Sequence, residues 1–316
     1  MIHVLVCGAG SIGNHLSHAC REKGWTVDLF DVDRQALDRT RRDIYPTRYG
    51  FWDDEISLIT DIDQSVDYDL VIIGTPPDSH LSVAIDILSF IPPRVLLIEK
   101  PFCRPDWNRY EEFLKLMAAS ESKVLVGYNH NLAENTSSVV GMVKNGVIGE
   151  INSINVRWLE HWGGIFAAHP WLDGPSASYL GDWKAGGGAC GEHSHGISLW
   201  QYISEISGGG RIKELTAMMD IVDHGSVQYD QSCLIGVATE NGIFGSILQD
   251  VVTSPAEKFL RIQGSEGSIV WRACVQGAYD EVVLKQEGKE DVCQRFNWTR
   301  VGDFKPEIDH IGALLD

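Results

Sequence analysis

A lysine and a histidine lie in two segments whose composition suits acid–base chemistry. Lys100 follows the apolar run Arg94–Ile98 within Glu99-Lys100-Pro101. Because a proline biases the preceding residue towards an extended backbone, we expect the Lys100 ammonium group to project from the end of a strand. His195 closes the glycine-rich segment 186–195, with Glu192 three residues before it. An amine with a lowered pKa can exchange a proton with a hydroxyl, and a carboxylate can orient a neighbouring imidazole as a base.

Each of these residues also has an alternative interpretation. Lys100 could be a solvated lysine at a strand end, and His195 could be a structural histidine bonded to a backbone carbonyl. A metal site formed by His193 and His195 is a further alternative. Helical residues two apart face different directions, and no cysteine or third histidine has the usual ligand spacing along the chain. We therefore expect no metal.

The N-terminal run Ile2–Val6 leads into a glycine-rich turn that could hold a dinucleotide. Gly8 permits a tight turn, Gly10 lets the backbone approach a phosphate, and Gly13 allows close helix packing. The following helix would offer its N–H groups and positive dipole end to a pyrophosphate. A turn without a ligand is the alternative. The predicted contacts are Gly8, Gly10, Ser11, Ile12 and Gly13.

Asp31 ends the next predicted strand, Thr26–Phe30, 18 residues after Gly13. That spacing fits the carboxylate that binds the adenosine ribose, and its charge would repel a 2′-phosphate. NAD is therefore favoured over NADP, a preference that Arg34 weakens slightly. The alternative is that Asp31 only begins a turn. With Lys100, these motifs indicate redox chemistry on a polar substrate.

Predicted elements place these residues at the carboxyl ends of parallel strands. Five apolar runs alternate with helical patterns: Ile2–Val6, Thr26–Phe30, Leu70–Ile73, Arg94–Ile98 and Lys123–Val126. Such apolar strands indicate a doubly wound parallel sheet covered on both faces. Thr75 and Pro76 follow the third run, and ligands bind at such ends. We predict cofactor contacts from both residues.

The second half of the sequence favours a large, mainly antiparallel open sheet. Its predicted strands are Ile151–Leu159, Glu214–Val222, Cys233–Thr239, Ile243–Val251, Phe259–Gln263 and Glu281–Lys285. Asn241-Gly242 is a strong hairpin turn, and 190–206 is predicted as one helix. The fold class is therefore α/β. We predict a dinucleotide-binding domain over residues 1–128 and a substrate-binding and oligomerisation domain over 129–316.

Composition excludes several classes of protein. The net charge of −18 argues against a nucleic-acid-binding surface. No apolar segment approaches the length of about 20 residues that spans a bilayer. Seven scattered cysteines and no visible secretory signal favour reduced thiols in a cytoplasmic protein.

Taken together, the motifs resemble those of the Gfo/Idh/MocA oxidoreductase family. The resemblance rests on the glycine turn at 8–13, Thr75-Pro76-Pro77, Glu99-Lys100-Pro101, Gly127-Tyr128-Asn129 and the triple glycine leading to His195. It covers essentially the whole chain. It implies a Rossmann domain, a second α/β domain whose open sheet often forms a subunit interface, and hence a homo-oligomer, a dimer or a tetramer.

The resemblance also implies NAD(P)-dependent hydride transfer at a secondary alcohol of a sugar, amino sugar or cyclitol. Lys100 and His195 match the family's active-site lysine and histidine, and Glu192 stands where an aspartate is more common. Ser198 departs from the family pattern because many members have aspartate there. Predicted cofactor contacts implied by the motifs also include Glu99, Lys100, Asn129 and Trp183.

Two other functions use the same features. One is a glycosidase or dehydratase with a tightly bound, internally recycled NAD, and the other is a non-catalytic NAD-binding regulator. The loop His161–Tyr179 carries Trp162, a His169-Pro170-Trp171 segment and Tyr179. Its aromatic rings could stack on a sugar or pack internally.

Overall fold

The computed structural model describes residues 2–168, 172–297, 299 and 302–316. Contacts between residues divide this chain into two compact units. The first contains residues 1–127, 184–186 and 304–316, and the second contains 128–183 and 187–303. The predicted division after residue 128 lies one residue from the first break. The two later segments of the first unit extend beyond that prediction.

The first unit contains a six-stranded parallel sheet with spatial order β3-β2-β1-β4-β5-β6. Its strands are β1 (His3–Cys7), β2 (Thr26–Phe30), β3 (Ile56–Ile59), β4 (Leu70–Ile73), β5 (Val95–Glu99) and β6 (Lys123–Gly127). The predicted doubly wound sheet is confirmed. The short strand β3 is additional to the predicted strands.

Helices cover both faces of this sheet, because successive strand residues point to opposite sides. They are α1 (Ser11–Glu22), α2 (Arg34–Arg39), α3 (Tyr45–Tyr49), α4 (His80–Phe90) and α5 (Tyr110–Ala119). Val4 packs in the apolar cluster that includes Leu16 of α1. Its neighbour Leu5 packs on the other face with Leu88 of α4. The unit therefore has two apolar layers around one sheet.

The second unit contains an eight-stranded sheet with spatial order β14-β13-β12-β11-β7-β10-β9-β8. Its strands are β7 (Ile151–Leu159), β8 (Ile212–His224), β9 (Val227–Thr239), β10 (Phe244–Asp250), β11 (Glu257–Gly264), β12 (Ser268–Val275), β13 (Tyr279–Lys285) and β14 (Val292–Asn297). Only the β7–β10 pair is parallel among these neighbours. The mainly antiparallel sheet is confirmed, and β12 and β14 are additional to the predicted strands.

In the described part of the second unit the α-helices are α6 (Glu134–Lys144), α7 (Gly163–Ala168), α8 (Gly188–Glu192) and α9 (His195–Ile206). The predicted single helix over 190–206 is wrong, because the helix is interrupted between α8 and α9. His193 N–H bonds to Ala189 four residues back, but Ser194 N–H bonds to Gly191, only three residues back. The tighter turn ends α8, which two glycines already disfavour.

The last helix, α10 (Lys305–Leu315), packs in the first unit. Ile308 and Ile311 join the apolar cluster that contains Val4 and Leu16. Lys23 of the loop after α1 forms a 2.9 Å ion pair with Asp309. Among the described helices, none combines the length and apolar character needed to cross a bilayer.

Candidate active site

The glycine turn between β1 and α1 is shaped by two close approaches. Gly8 has φ +108°, and a Cβ atom there would lie 2.8 Å from the carbonyl oxygen of Gly74. A Cβ at Gly13 would lie 1.9 Å from the Gly8 oxygen, so the helix packs directly on the turn. A Cβ at Gly10 would meet nothing within 4 Å. The turn therefore has one open backbone position beside a helix N-terminus, as a pyrophosphate requires.

Asp31 is fixed against this turn. Its Oδ2 accepts a 2.8 Å hydrogen bond from the N–H of Ala9, and its Oδ1 accepts one from Asp33 N–H. Asp33, rather than Asp31, caps α2 by accepting from Gln35 N–H. The carboxylate at the end of β2 is thus held beside the glycine turn. This position suits a ribose contact, which remains a prediction.

Arg48 of α3 also contacts the start of α1, and the sequence analysis missed it. Its Nη2 donates to Ser11 Oγ at 2.7 Å, and its Nη1 donates to the Ser11 carbonyl oxygen. The guanidinium adds a positive charge at the helix end that would face an anion. The partners are 37 positions apart in the sequence, so no local sequence signal predicts this pairing.

The loop after β4 lies beside the glycine turn and contains the predicted contacts Thr75 and Pro76. A Cβ at Gly8 would be 3.1 Å from Thr75 N, and one at Gly74 would be 2.9 Å from the Ile12 side chain. Thr75 Oγ1 accepts a hydrogen bond from Ser79 Oγ, and Pro76 is exposed. The structure therefore brings the two loops together at one edge of the sheet.

His80 joins the loops that follow β4 and β5. Its Nε2 lies 2.7 Å from the Thr75 carbonyl oxygen, and its Nδ1 lies 3.0 Å from that of Pro101. The ring is fully buried, and this burial lowers its pKa although both carbonyls favour the charged form. His80 thus fixes the backbone next to Lys100. This role was not predicted, because it depends on contacts across two strands.

Lys100 follows β5 at the same edge, as predicted, and is partly buried. Its N–H donates to Oε2 of Glu99 at 3.2 Å. Glu99 itself is only 5% exposed, and a Cβ at Gly127 would lie 2.6 Å from its carboxylate. Burial, together with the charge of Glu99, raises the pKa of Glu307 well above its usual range. Glu99 therefore lies among buried groups beneath the lysine.

In the second unit, His195 begins α9 within a group of aromatic rings. Trp158 of β7 stacks on the imidazole with a centroid separation of 5.4 Å. Tyr128 and His130 meet it edge-on, at 5.8 and 4.9 Å. These rings restrict the orientation of the imidazole, because a planar side chain can pack between them in few positions. The ring group was not predicted.

Lys258 lies against the same tryptophan. Its Nζ is 5.3 Å from the centre of the Trp158 ring and 2.9 Å from Glu160 Oε2. The lysine side chain is only 13% exposed. An ammonium group on an aromatic face is a favourable cation–π contact. Lys258 thus adds a charged group to the surroundings of the ring that stacks on His195.

Glu192 and His193 point to different partners. Glu192 Oε2 accepts a 3.0 Å hydrogen bond from the Tyr179 hydroxyl. The His193 ring is 4% exposed and bonds through Nε2 to the carbonyl oxygen of Glu160. The break between α8 and α9 removes the shared helical face on which the pairing of Glu192 with His195 was predicted. Their joint role stays a prediction.

The other predicted residues of the second unit occupy varied positions. Asn129 is 6% exposed and donates to the Asp303 carbonyl, while Trp183 is 40% exposed and donates to Gln228 Oε1. Ser198 accepts from Asn131. Trp162 packs internally against Phe166 and Tyr229. The segment 169–171 lies outside the described residues.

Solved structures of several known proteins have folds similar to that of this chain. A structure of an oxidoreductase domain protein from Kribbella flavida matches with a TM-score of 0.75 at 19% identity, over 99% of this chain and 90% of that one. A levoglucosan dehydrogenase in complex with NADH and L-sorbose matches with a TM-score of 0.74 at 17% identity, over 100% and 89%. The WlbA dehydrogenase from Bordetella pertussis, in complex with NADH and UDP-GlcNAcA, gives 0.71 at 16% identity, over 99% and 81%. No curated protein matches in sequence.

Two protein-family models also match this chain. Residues 2–128 match the oxidoreductase family model for an NAD-binding Rossmann fold, which agrees with the glycine turn and parallel sheet. Residues 138–270 match a GFO/IDH/MocA C-terminal domain. Since these matches cover most of the sequence, the chain belongs to the GFO/IDH/MocA oxidoreductase family and has an NAD-binding Rossmann domain.

Proposed function

We propose that the protein is an NAD-dependent dehydrogenase that oxidises a secondary alcohol of a sugar, amino sugar or cyclitol, or reduces the matching ketone. The observation that carries this proposal is the sheet edge in the first unit. There the open glycine turn, Asp31, the Thr75 loop and Lys100 lie at the carboxyl ends of neighbouring strands. Structural neighbours in complex with L-sorbose or UDP-GlcNAcA support a sugar-type substrate.

The residues of the first unit fit a dinucleotide. We assign the pyrophosphate to the backbone of Gly8, Gly10, Ser11, Ile12 and Gly13, and the adenosine ribose to Asp31. Thr75 and Pro76 border the same site, and Glu99, Lys100, Asn129 and Trp183 complete the proposed cofactor contacts. When bound, the nicotinamide supplies the acceptor or donor of a hydride.

Lys100, His195 and Glu192 are assigned the handling of the substrate proton. We assign the substrate oxygen to the Lys100 ammonium group. The backbone that carries this side chain is held by contacts with His80 and Glu99. We assign the hydroxyl proton to the His195 imidazole. The aromatic rings around it restrict its orientation, which favours transfer in one direction. Glu192 supports the positive charge that His195 then gains. Each assignment rests on contacts within one unit, and the roles of Lys100 and His195 are tested separately.

A substrate screen tests the proposed function. NADH formation would be followed with inositols, free sugars, sugar acids and nucleotide sugars as substrates and NAD as oxidant. The proposal expects stoichiometric NADH with at least one of them. Product formation without net NADH would indicate an internally recycled cofactor. Tight NAD binding with no turnover of any substrate would favour the regulator.

Asp31→Ala is expected to raise the KM for NAD by about 10- to 100-fold, the effect of losing hydrogen bonds to a charged group. It should also narrow the preference for NAD over NADP, because the charge that repels a 2′-phosphate is removed. Initial rates with both cofactors provide the measurement. Asp33→Ala is the matched control, since it removes the α2 cap and leaves Asp31 in place. An unchanged cofactor preference would contradict the assignment.

A homo-oligomer is proposed from the exposed face of the second sheet. Met218 of β8 lies directly opposite Leu234 of β9, and the two are 69% and 37% exposed. On the other side of Leu234 lies the half-buried Leu248 of β10, and Phe244, 65% exposed, lies four residues away along that strand, opposite Ala238. Contiguous apolar surface of this kind usually marks an interaction site.

Met218→Glu combined with Leu234→Glu should convert the oligomer to a monomer, because a subunit interface would bury both new charges. Light scattering coupled to size-exclusion chromatography measures the mass. Phe90→Glu, at an exposed apolar residue of α4, should leave the mass unchanged. A monomeric wild-type protein would rule out this interface.

A further inference from the structure

Two thiols and a carboxylate form a compact cluster in the second unit. Cys190 lies in α8, and Asp230 and Cys233 lie in β9. One ligand atom from each residue lies within 4.8 Å of the other two. Cys233 is fully buried and Asp230 is 3% exposed, while Cys190 is partly exposed. The cluster is therefore internal and opens towards solvent on the Cys190 side.

A β-bulge brings Asp230 and Cys233 to the same face of the sheet. Residues three apart in a regular strand point to opposite faces. In this pair of strands, Ser232 is opposite Asp220, whereas Asp230 is opposite Ile221. Gln231 is thus an extra residue in β9. The bulge reverses the alternation, so that Asp230 points to the same side as Cys233, and bulges commonly redirect side chains near functional sites.

The Asp230 carboxylate is held firmly against the start of α8. Its Oδ2 accepts a 2.8 Å hydrogen bond from Cys190 N–H. Gly188 has φ +80°, and a Cβ there would lie 2.0 Å from Oδ1. Only glycine leaves room for the carboxylate in this position.

The two thiols interact with each other. Their sulfur atoms lie within 4.8 Å of each other. Buried, unneutralised thiolate and carboxylate ligands are costly by themselves, and a divalent cation would compensate them.

We propose that Cys190, Asp230 and Cys233 bind a thiophilic divalent metal ion of the zinc type. Two sulfur ligands and one oxygen ligand suit zinc, whereas calcium and magnesium take oxygen ligands. Bonds of about 2.0–2.3 Å require ligand atoms about 3.3–3.8 Å apart, so the side chains need to close by on the order of 1 Å. Binding releases one proton from each thiol, and solvent on the Cys190 side completes the coordination.

Such a metal ion would fasten α8 to β9. Glu192 is the last residue of α8, and His195 begins the next helix. The metal ion would therefore stabilise the segment that carries these two residues of the proposed dehydrogenase. This consequence rests on the proposed function, but metal binding does not. The sequence analysis considered only His193 and His195 as metal ligands, and Cys190 and Cys233 are far apart along the chain.

Cobalt titration of the full-length, reduced protein tests the site. We expect one Co²⁺ per chain, with a thiolate-to-cobalt charge-transfer absorption that Zn²⁺ abolishes. Cys190→Ser, Cys233→Ser and Asp230→Asn should each weaken binding by at least about 10- to 100-fold. Cys103→Ser, in the first unit, is the matched control and should bind normally. If a cluster variant fails to fold, a zinc-dependent rise in the Tm of the wild-type protein provides a second readout.

The proposal would be overturned if the reduced wild-type protein showed neither the charge-transfer absorption nor a rise in Tm with Zn²⁺. A Cys190–Cys233 disulfide that re-forms in air, without metal binding after reduction, would also overturn it. So would unchanged binding in Cys190→Ser and Asp230→Asn. These readouts do not depend on dehydrogenase activity, so failure of the metal site and failure of the proposed function are distinguishable.

Discussion

Replacing Lys100 with methionine should lower kcat by about 10²–10⁴-fold, while NAD should still bind through the other proposed cofactor contacts. The methionine keeps most of the side-chain volume but removes the ammonium group that we assign to the substrate oxygen. His80 and Glu99 hold the backbone at this point, so the surrounding loop should keep its conformation. Steady-state kinetics and NAD-dependent quenching of tryptophan fluorescence measure the two effects.

Lys123→Met is the matched control for this experiment. Lys123 begins β6, at the amino end of the same sheet, and its Nζ donates to the Leu314 carbonyl oxygen. We expect near-normal turnover in this variant. Near-normal turnover in Lys100→Met as well would remove the lysine from the proposed mechanism, whatever the substrate.

His195→Asn should lower kcat by a similar factor, about 10²–10⁴-fold, because asparagine cannot take the hydroxyl proton. It should also flatten the acidic limb of the pH profile of kcat/KM, which a purely structural histidine would not control. Asparagine is polar and smaller than the imidazole, so the ring group around Trp158 should tolerate it. The pH profile and a circular dichroism spectrum together separate lost chemistry from lost folding.

His310→Asn provides the comparison for His195→Asn. His310 is an exposed residue of α10 and should contribute nothing to the pH profile. If the acidic limb persists unchanged in His195→Asn, another group titrates there, and His195 is not the base. Lys258, which contacts the same tryptophan, would then be the next residue to replace.

The sequence predicted most of the first unit, because its signals are local. The apolar run before Gly8, the spacing to Asp31 and the strand before Lys100 each depend on a few consecutive residues. The hairpin at Asn241-Gly242 was also predictable, since two residues suffice for the turn. The break after α8 was not predicted, because the apolar periodicity of 190–206 continues across the tight turn between Gly191 and Ser194 that interrupts the helix.

The surroundings of the proposed site were predicted less well. His80 links carbonyl oxygens of two separate loops, and Arg48 reaches Ser11 from a different helix. Glu99 has the sequence position of a cofactor contact, yet its carboxylate lies over Gly127 among buried groups. No periodicity along the chain encodes such contacts, because they arise only when separate elements pack.

By itself, the sequence determined that this protein has a parallel dinucleotide-binding sheet, a second, mainly antiparallel sheet, and a lysine at a strand end. Hydrophobic periodicity and turn residues encode these features over short stretches. The tertiary structure alone decided that rings from separate segments enclose His195 and that a bulge turns Asp230 towards Cys190 and Cys233. The physical reason is that a contact between distant residues depends on the register and packing of whole elements, where one extra residue in a strand reverses the face of its side chains.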